Sequence, residues 1–328
     1  MTNLFPDILG HENVKRGLIH ATQTGHMHHA FLFVGSEGIG KGLLGKAFIQ
    51  AWLCEHTTSE KLARCKICHN CKRIANTSHP DFIEIIEESA TIKIDTIREL
   101  QKRLAFPPFE SARRFVMIHD IHKMQDAAAN CLLKTLEEPE EHTTFILITS
   151  QIQRLLPTII SRCQVVRFAP FSVDEISHYL IEHGVSPEIS GQLATLSDGS
   201  LSMAQELNQG DYKTELISTF EDILKISSTL DAFSTAAALK GKKSMSAHLL
   251  SLLLAYTRDM LILKSSPETP ILLENYRSQM LTRLSKTSIQ DLIRCIQLIQ
   301  EVNESFLGNL NEQVVWERLL VGMHGVLF

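Results

Sequence analysis

The sequence lacks any run approaching the roughly 18–20 consecutive apolar residues that a membrane-spanning helix needs. Its first residues, Met1-Thr2-Asn3-Leu4-Phe5-Pro6-Asp7, show no basic stretch leading into an apolar one, so no secretory signal is expected. The most apolar segment, 249–263, carries Arg258 and Asp259 and reads as a buried helix. These absences favour a cytoplasmic protein. An excess of basic residues is missing too, since 32 Lys and Arg stand against 37 Asp and Glu, a formal charge of −5. That balance does not announce a nucleic-acid binder, although net charge can conceal a local basic face. Internal repeats and low-complexity tracts are absent, and the composition is not that of a disordered chain.

What is present can fill more than one core: 328 residues with 44% hydrophobic content lead us to expect two or three domains. From residue 30 to about 168, apolar runs at 30–34, 81–86, 115–118, 144–149 and 164–168 alternate with helical patterns such as 94–104 and 126–137. Strands alternating with helices predict a parallel sheet covered on both faces. Beyond Ala169-Pro170-Phe171 the strand signal fades, and 174–182, 188–196 and 201–207 read as three short helices punctuated by Gly184, Pro187 and Gly199. Residues 208–211 offer a hinge, and the remainder is helical in pattern. There Ile289, Leu292, Ile293, Ile296, Ile299, Val302 and Phe306 recur at spacings of three and four, predicting one buried stripe.

Between the first strand and the next helix lies Gly35-Ser36-Glu37-Gly38-Ile39-Gly40-Lys41-Gly42. It follows the phosphate-loop pattern G-x-x-x-x-G-K-[ST] up to its last position. In that pattern backbone N–H groups cradle phosphates, the lysine reaches the β/γ oxygens and the final hydroxyl holds Mg²⁺. Gly35, Gly38, Gly40 and Lys41 are therefore candidate phosphate-binding residues, while Gly42 supplies no oxygen to a metal. The second acidic element of such ATPases ends an apolar strand. Here Phe115-Val116-Met117-Ile118 runs into His119-Asp120, with one acid where an Asp-Glu pair is usual. Both departures weigh against hydrolysis, and Asp120 can also be read as a simple turn residue.

Four of seven cysteines cluster: Cys54, then Cys65-Lys66-Ile67-Cys68-His69-Asn70-Cys71. Two overlapping C-x-x-C steps and a fourth thiol suit a closed, structural Zn²⁺ site in a reducing compartment, the alternative being a redox pair or unliganded thiols. Cys131, Cys163 and Cys295 read as inert core residues. Further on, 130–139 forms an amphipathic helix that Pro139 stops, and Arg162 follows a short helix. A lone arginine there is ordinarily a surface residue.

Taken in order, Phe5-Pro6-Asp7-Ile8-Leu9-Gly10-His11, His29 to Gly35, the cysteine cluster, Leu132-Leu133-Lys134-Thr135-Leu136-Glu137-Glu138-Pro139 and Ser161-Arg162-Cys163 resemble the AAA+ subunits of the bacterial sliding-clamp loader. The motifs span residues 5 to about 204; the last third matches mainly in helical character and in 311–320. The resemblance implies an AAA+ phosphate-loop domain at 1–168 with a zinc module at about 54–80, a small helical lid at 169–208, and a helical collar for oligomerisation at 209–328. Of the two subunit types sharing these motifs, the gamma/tau motor keeps the loop hydroxyl, the Asp-Glu pair and an arginine in the helix after Gly-Ser. This chain has Gly42, His119-Asp120 and Ser202, and no long tau-type extension, so it looks like the delta-prime type, which generally does not hydrolyse ATP.

By the same resemblance Arg162 is an arginine finger reaching the γ-phosphate of ATP on a neighbouring motor, a role that a planar, permanently charged guanidinium suits. Thr149 and Ser150 stand at the sensor position, with a structural role expected for both. The implied partners are gamma/tau and delta subunits and, through the complex, the sliding clamp and primed DNA of replication. Two alternatives remain open at this level: a divergent motor that hydrolyses ATP, and an adaptor that binds DNA through its zinc module.

Overall fold

The computed structural model describes residues 5–23, 27–58, 64–87, 91–306 and 311–327. Met1 to Leu4 of the amino-terminal segment, and residues 59–63 of the expected zinc module, lie outside the described residues. The chain divides into two compact units, Met1–Phe171 and Ser172–Phe328.

The first unit runs α1 (Glu12–Gln23), β1 (Ala30–Val34), α2 (Lys41–Leu53), α3 (His69–Ala75), β2 (Phe82–Ile85), α4 (Ile94–Leu104), β3 (Arg114–Ile118), α5 (Asp126–Glu137), β4 (Thr143–Thr149), α6 (Pro157–Ile160) and β5 (Gln164–Arg167). The five strands form one sheet in the order β2-β3-β4-β1-β5, and all pairings are parallel. Leu32 of β1, for example, lies beside Leu147 of β4 and Val165 of β5. The central strands are buried throughout because both faces are covered, so their sequences are continuous apolar runs rather than alternating ones.

On one face Leu32, Val116, Ile118, Phe145 and Leu147 pack with Ile97 and Leu100 of α4 and Leu132 and Leu136 of α5. On the other, Phe48 of α2 meets Phe31 and Phe115 edge-on, with ring centroids 6.4 and 6.5 Å apart. Gly45 allows this approach: a Cβ there would stand 3.1 Å from the Met117 sulfur. The expected parallel sheet covered on both faces is therefore present in the first unit. The loops at the carboxyl ends of β1, β3 and β4, where parallel sheets bind ligands, carry the candidate site.

The second unit is helical: α7 (Val173–Glu182), α8 (Pro187–Leu196), α9 (Leu201–Leu207), α10 (Gly210–Leu224), α11 (Thr229–Ala238), α12 (Lys243–Ser265), α13 (Arg277–Leu284), α14 (Ile289–Phe306) and α15 (Glu312–Met323). Ser172 and Glu175 form a reciprocal capping box that starts α7. Of the segment 208–211 expected as a hinge, Gly210 and Asp211 already belong to α10.

Within α12, Met245–Ser265 is the one described helix long and apolar enough to cross a membrane, but most of it is buried inside the unit. Asp259, inside that stretch, accepts the N–H groups of Leu272 and Leu273 at 3.2 and 2.7 Å, which is how a buried carboxylate is satisfied. The stripe of α14 differs from expectation. Leu292, Cys295, Ile299 and Val302 are buried, while Ile289 and Ile293 are exposed. Cys295 continues the 3-4-3 spacing, so the seam runs one residue-step aside from the isoleucines.

Candidate functional site

The loop after β1 is shaped by backbone rather than side chains. Gly38 and Gly40 adopt φ of 71° and 87°, the left-handed region that only glycine occupies without cost. Gly35 allows close passage of the chain, since a Cβ there would lie 2.6 Å from Ile39 Cδ1 and 2.7 Å from the Phe168 carbonyl oxygen. Helix α2 begins at Lys41 with no side-chain cap, leaving its first N–H groups facing the loop. The amino-terminal motif supports the loop from outside: Phe5 is buried, and His11 Nε2 donates to the Ile39 carbonyl at 2.7 Å.

Lys41 is only 7% exposed. Its Nζ donates to the carbonyls of Gly35 and Ser36 at 2.7 and 2.5 Å, folding back into the loop. Burial lowers its pKa, opposed by the charges of Glu37 and Asp120. The four loop residues singled out from the sequence are thus brought together.

A histidine ring takes the space beside the last residue of the loop. A Cβ on Gly42 would meet the His119 ring, with Cε1 only 2.8 Å away. His119 Nε2 donates to Glu84 Oε1 at 3.1 Å, and Glu84 Oε2 accepts from Lys46 Nζ and Thr77 Oγ1, each at 2.8 Å. Burial would raise the Glu84 pKa, but the hydrogen bonds from His119, Lys46 and Thr77 outweigh it and bring it down to about 2. Gly42 and His119 therefore do not depart from the motor pattern independently, because the imidazole lies where a Ser or Thr side chain would project. Asp120 has φ 49° and pairs with Lys123 at 2.8 Å.

At the sensor position Thr149 is fully buried; its Oγ1 lies 3.2 Å from His122 Nδ1 and accepts the Gln151 N–H at 3.0 Å. Ser150 Oγ donates to Glu37 at 3.2 Å. Both hydroxyls have local protein partners. Ser202 belongs to the second unit, exposed on α9.

Arg162 follows α6, just before β5, at a corner made by the end of α5. Its Nη1 donates to the Thr158 carbonyl at 2.9 Å and its Nη2 pairs with Glu137 Oε1 at 2.6 Å. The side chain remains 32% exposed and touches no residue of the phosphate loop through these bonds.

The cysteine sulfurs all lie within 4.8 Å of one another. Cys54 is 3.6 Å from Cys65 and 3.9 Å from Cys68, and Cys65 is 4.0 Å from Cys71. A tetrahedron of sulfurs about 2.3 Å from a zinc ion has edges of about 3.8 Å, so this donor set fits such a metal. Backbone N–H groups of Cys68 and Cys71 point at the sulfurs of Cys65 and Cys68, at 3.2 and 3.4 Å. Although burial opposes it, bonds from the Cys68 and Ile67 backbone and the Cys68 and Cys54 thiols lower the Cys65 pKa to about 6, whereas burial pushes the Cys54 and Cys71 thiols up. Asp7 grips the module from the amino-terminal segment through Arg64 and Lys66, at 2.7 and 3.0 Å.

A family model described as DNA polymerase III, delta subunit, matches residues 10–172. Over 318 residues the chain is 30% identical to DNA polymerase III subunit delta' of Bacillus subtilis strain 168, covering 94% of each protein. The chain belongs to the delta-prime family of DNA polymerase III clamp-loader subunits. Subunit tau of the same organism is also 30% identical, over 303 residues, and there the alignment covers 83% of this chain but only 52% of the longer relative. Among solved structures, a DNA polymerase III gamma subunit-related protein from Thermotoga maritima aligns over 93% of this chain and 97% of its own, at 19% identity and a TM-score of 0.43.

For a delta-prime family member, the sequence motifs identify the loop, the cysteines and Arg162, but not the residues that hold them. Glu84, Lys46 and Thr77 carry no motif, and Glu137 reads as one charge on a solvated helix face. A single acid within an otherwise apolar strand, Glu84 in Phe82-Ile83-Glu84-Ile85, is the one signal that could have drawn attention to this network.

Proposed function

We propose that this chain is a non-hydrolysing, delta-prime-type scaffold of the clamp loader that supplies Arg162 in trans. In this reading it assembles with gamma/tau motors and delta, and the complex places the sliding clamp on primed DNA in the cytoplasm. The first unit carries the AAA+ fold at 1–168. Residues 169–208 act as a lid and 209–328 as a collar that joins the subunits. A structural zinc ion held by Cys54, Cys65, Cys68 and Cys71 would tie the end of α2 to the start of α3.

The observation that carries the proposal is the His119 ring packed on Gly42. A motor needs a hydroxyl at that position and a carboxylate at the end of β3 to hold Mg²⁺, which bridges the phosphates and offsets developing charge. Here an imidazole fills the first place and is bound by Glu84. Arg162, by contrast, remains partly exposed beside a short helix, as a residue acting on a neighbour must be.

The experiment is steady-state ATP hydrolysis by the chain alone and by the complex reconstituted with motor and delta subunits. The chain alone should show no turnover, and Arg162→Ala should lower DNA-stimulated turnover of the complex while leaving assembly intact. A finger can be worth about 10³–10⁵ in rate at its own site, and bulk turnover falls less because other motor sites continue. Steady hydrolysis by the isolated chain that Lys41→Ala abolishes would defeat the scaffold reading. Unchanged turnover in Arg162→Ala would defeat the trans role.

A further inference from the structure

We infer that Glu137 is a positioning residue for Arg162, holding the guanidinium in the orientation from which it reaches a neighbouring subunit's phosphate. The inference rests on the trans role just proposed and names the residue on which that role depends. Glu137 is the last residue of α5, where Pro139 two positions on prevents the helix from continuing. Arg162 stands 25 positions later in the chain, one past the Ser161 cap of α6. The two helix ends meet at one corner, and Glu137 Oε1 lies 2.6 Å from Arg162 Nη2.

The geometry fixes one edge of the guanidinium and leaves another open. Nη2 is held by Glu137 and Nη1 by the Thr158 carbonyl at 2.9 Å, with Ser161 Oγ at 3.5 Å. A guanidinium has five N–H donors. The Nε–H has no hydrogen-bond partner among the described residues and is left to donate to a phosphate oxygen. The negative end of the α5 dipole adds to the attraction at the same corner.

The carboxylate is 47% exposed and the arginine 32%. Ion pairs this open to water are weak. Such a pair cannot withhold an arginine from a triphosphate, so it does not act as a latch. It can bias a side chain that otherwise samples many rotamers, which matters because catalysis responds to misplacement of about 1 Å. Its other possible use is to fasten α5 to α6, which would affect stability but not the rate of hydrolysis.

The test uses the complete complex with its motor and delta subunits. At the affected motor site Glu137→Ala should reduce the hydrolysis rate about two- to fivefold, the range a weak ion pair can supply, with the KM for ATP and assembly unchanged. Glu137→Gln, which keeps an acceptor for Nη2, should recover part of the loss. In an Arg162→Ala background, Glu137→Ala should cause no further loss, because the group it positions is gone. Wild-type rates for Glu137→Ala alongside slow turnover for Arg162→Ala would overturn the positioning role alone. Losses that multiply in the double variant would do the same. Should Arg162→Ala itself hydrolyse normally, the trans reading falls and this inference with it. If Glu137→Ala fails to assemble, Glu137→Gln and Glu137→Asp carry the comparison, and wild-type rates for both would count against the proposal.

Discussion

A Cβ added to Gly42 would stand 2.8 Å from Cε1 of His119, closer than real Cβ atoms approach a neighbour. The glycine that ends the phosphate loop and the histidine that ends β3 thus share one space. His119 is in turn held by Glu84, so its ring cannot move aside without giving up a charge-assisted bond.

Restoring the motor residue at one position should therefore fail. Gly42→Ser is expected to destabilise the first unit by about 1–3 kcal/mol through overpacking, and to leave ATP hydrolysis absent. Adding His119→Ala should remove most of that penalty. Chemical denaturation of the two single variants and the double variant measures the coupling; additive losses would show that the ring and the glycine do not compete for one space.

Acid stability should depend on Glu84. Its folded pKa of about 2 lies below its ordinary value of 4.5, so its contribution is fully present above pH 4.5 and is lost as pH falls toward 2. A shift of that size corresponds to on the order of 3 kcal/mol. Glu84→Gln is expected to lower stability at neutral pH and to flatten the stability-pH curve between pH 4.5 and 2. Denaturant midpoints across that window check it, and an unchanged slope would remove Glu84 from the account.

Metal removal should act on structure. Chelation, or Cys71→Ser, is expected to expose reactive thiols and lower the melting temperature, because binding energy at a four-thiolate site is folding energy. Metal analysis with thiol titration measures both; a fully folded, metal-free protein with the wild-type melting temperature would contradict a structural zinc site.

The segment between α4 and β3 should loosen without Asp81. Its buried carboxylate accepts the N–H groups of Phe109, Glu110 and Ser111 at 2.6, 2.9 and 2.8 Å. Arg114 donates to the carbonyls of Arg103, Phe106 and Pro107 at 3.0, 2.9 and 2.7 Å. Together they hold a loop whose Phe106 and Phe109 rings are exposed. Asp81→Ala orphans three N–H groups and should cost about 2–4 kcal/mol. Hydrogen exchange at 109–111 should rise sharply; protection as in the wild type would refute the anchoring role.

The strands, α4, α5 and the cysteine cluster were readable because each is written in local spacing: apolar runs for a two-faced sheet, a 3.6-residue period for helices, and turns that bring thiols together. The seam of α14 was misplaced because Ile293 and Cys295 both fit a helical stripe, and only packing decides which one faces inward. The loop pattern and the family resemblance likewise rest on residue order, and the choice of Arg162 rests on that resemblance, since the residue by itself reads as a surface arginine.

What the sequence by itself determined is the covalent pattern: a phosphate loop without its hydroxyl, four clustered thiols and an arginine after a short helix. Only the tertiary structure decided that His119 fills the space beside Gly42, that Glu84 and Lys46 hold it there, and that Glu137 meets Arg162. Those partners lie 25 to 77 positions apart in the chain. No local periodicity encodes such contacts, because they exist only once parallel strands and their crossover helices bring distant turns to a common edge of the sheet.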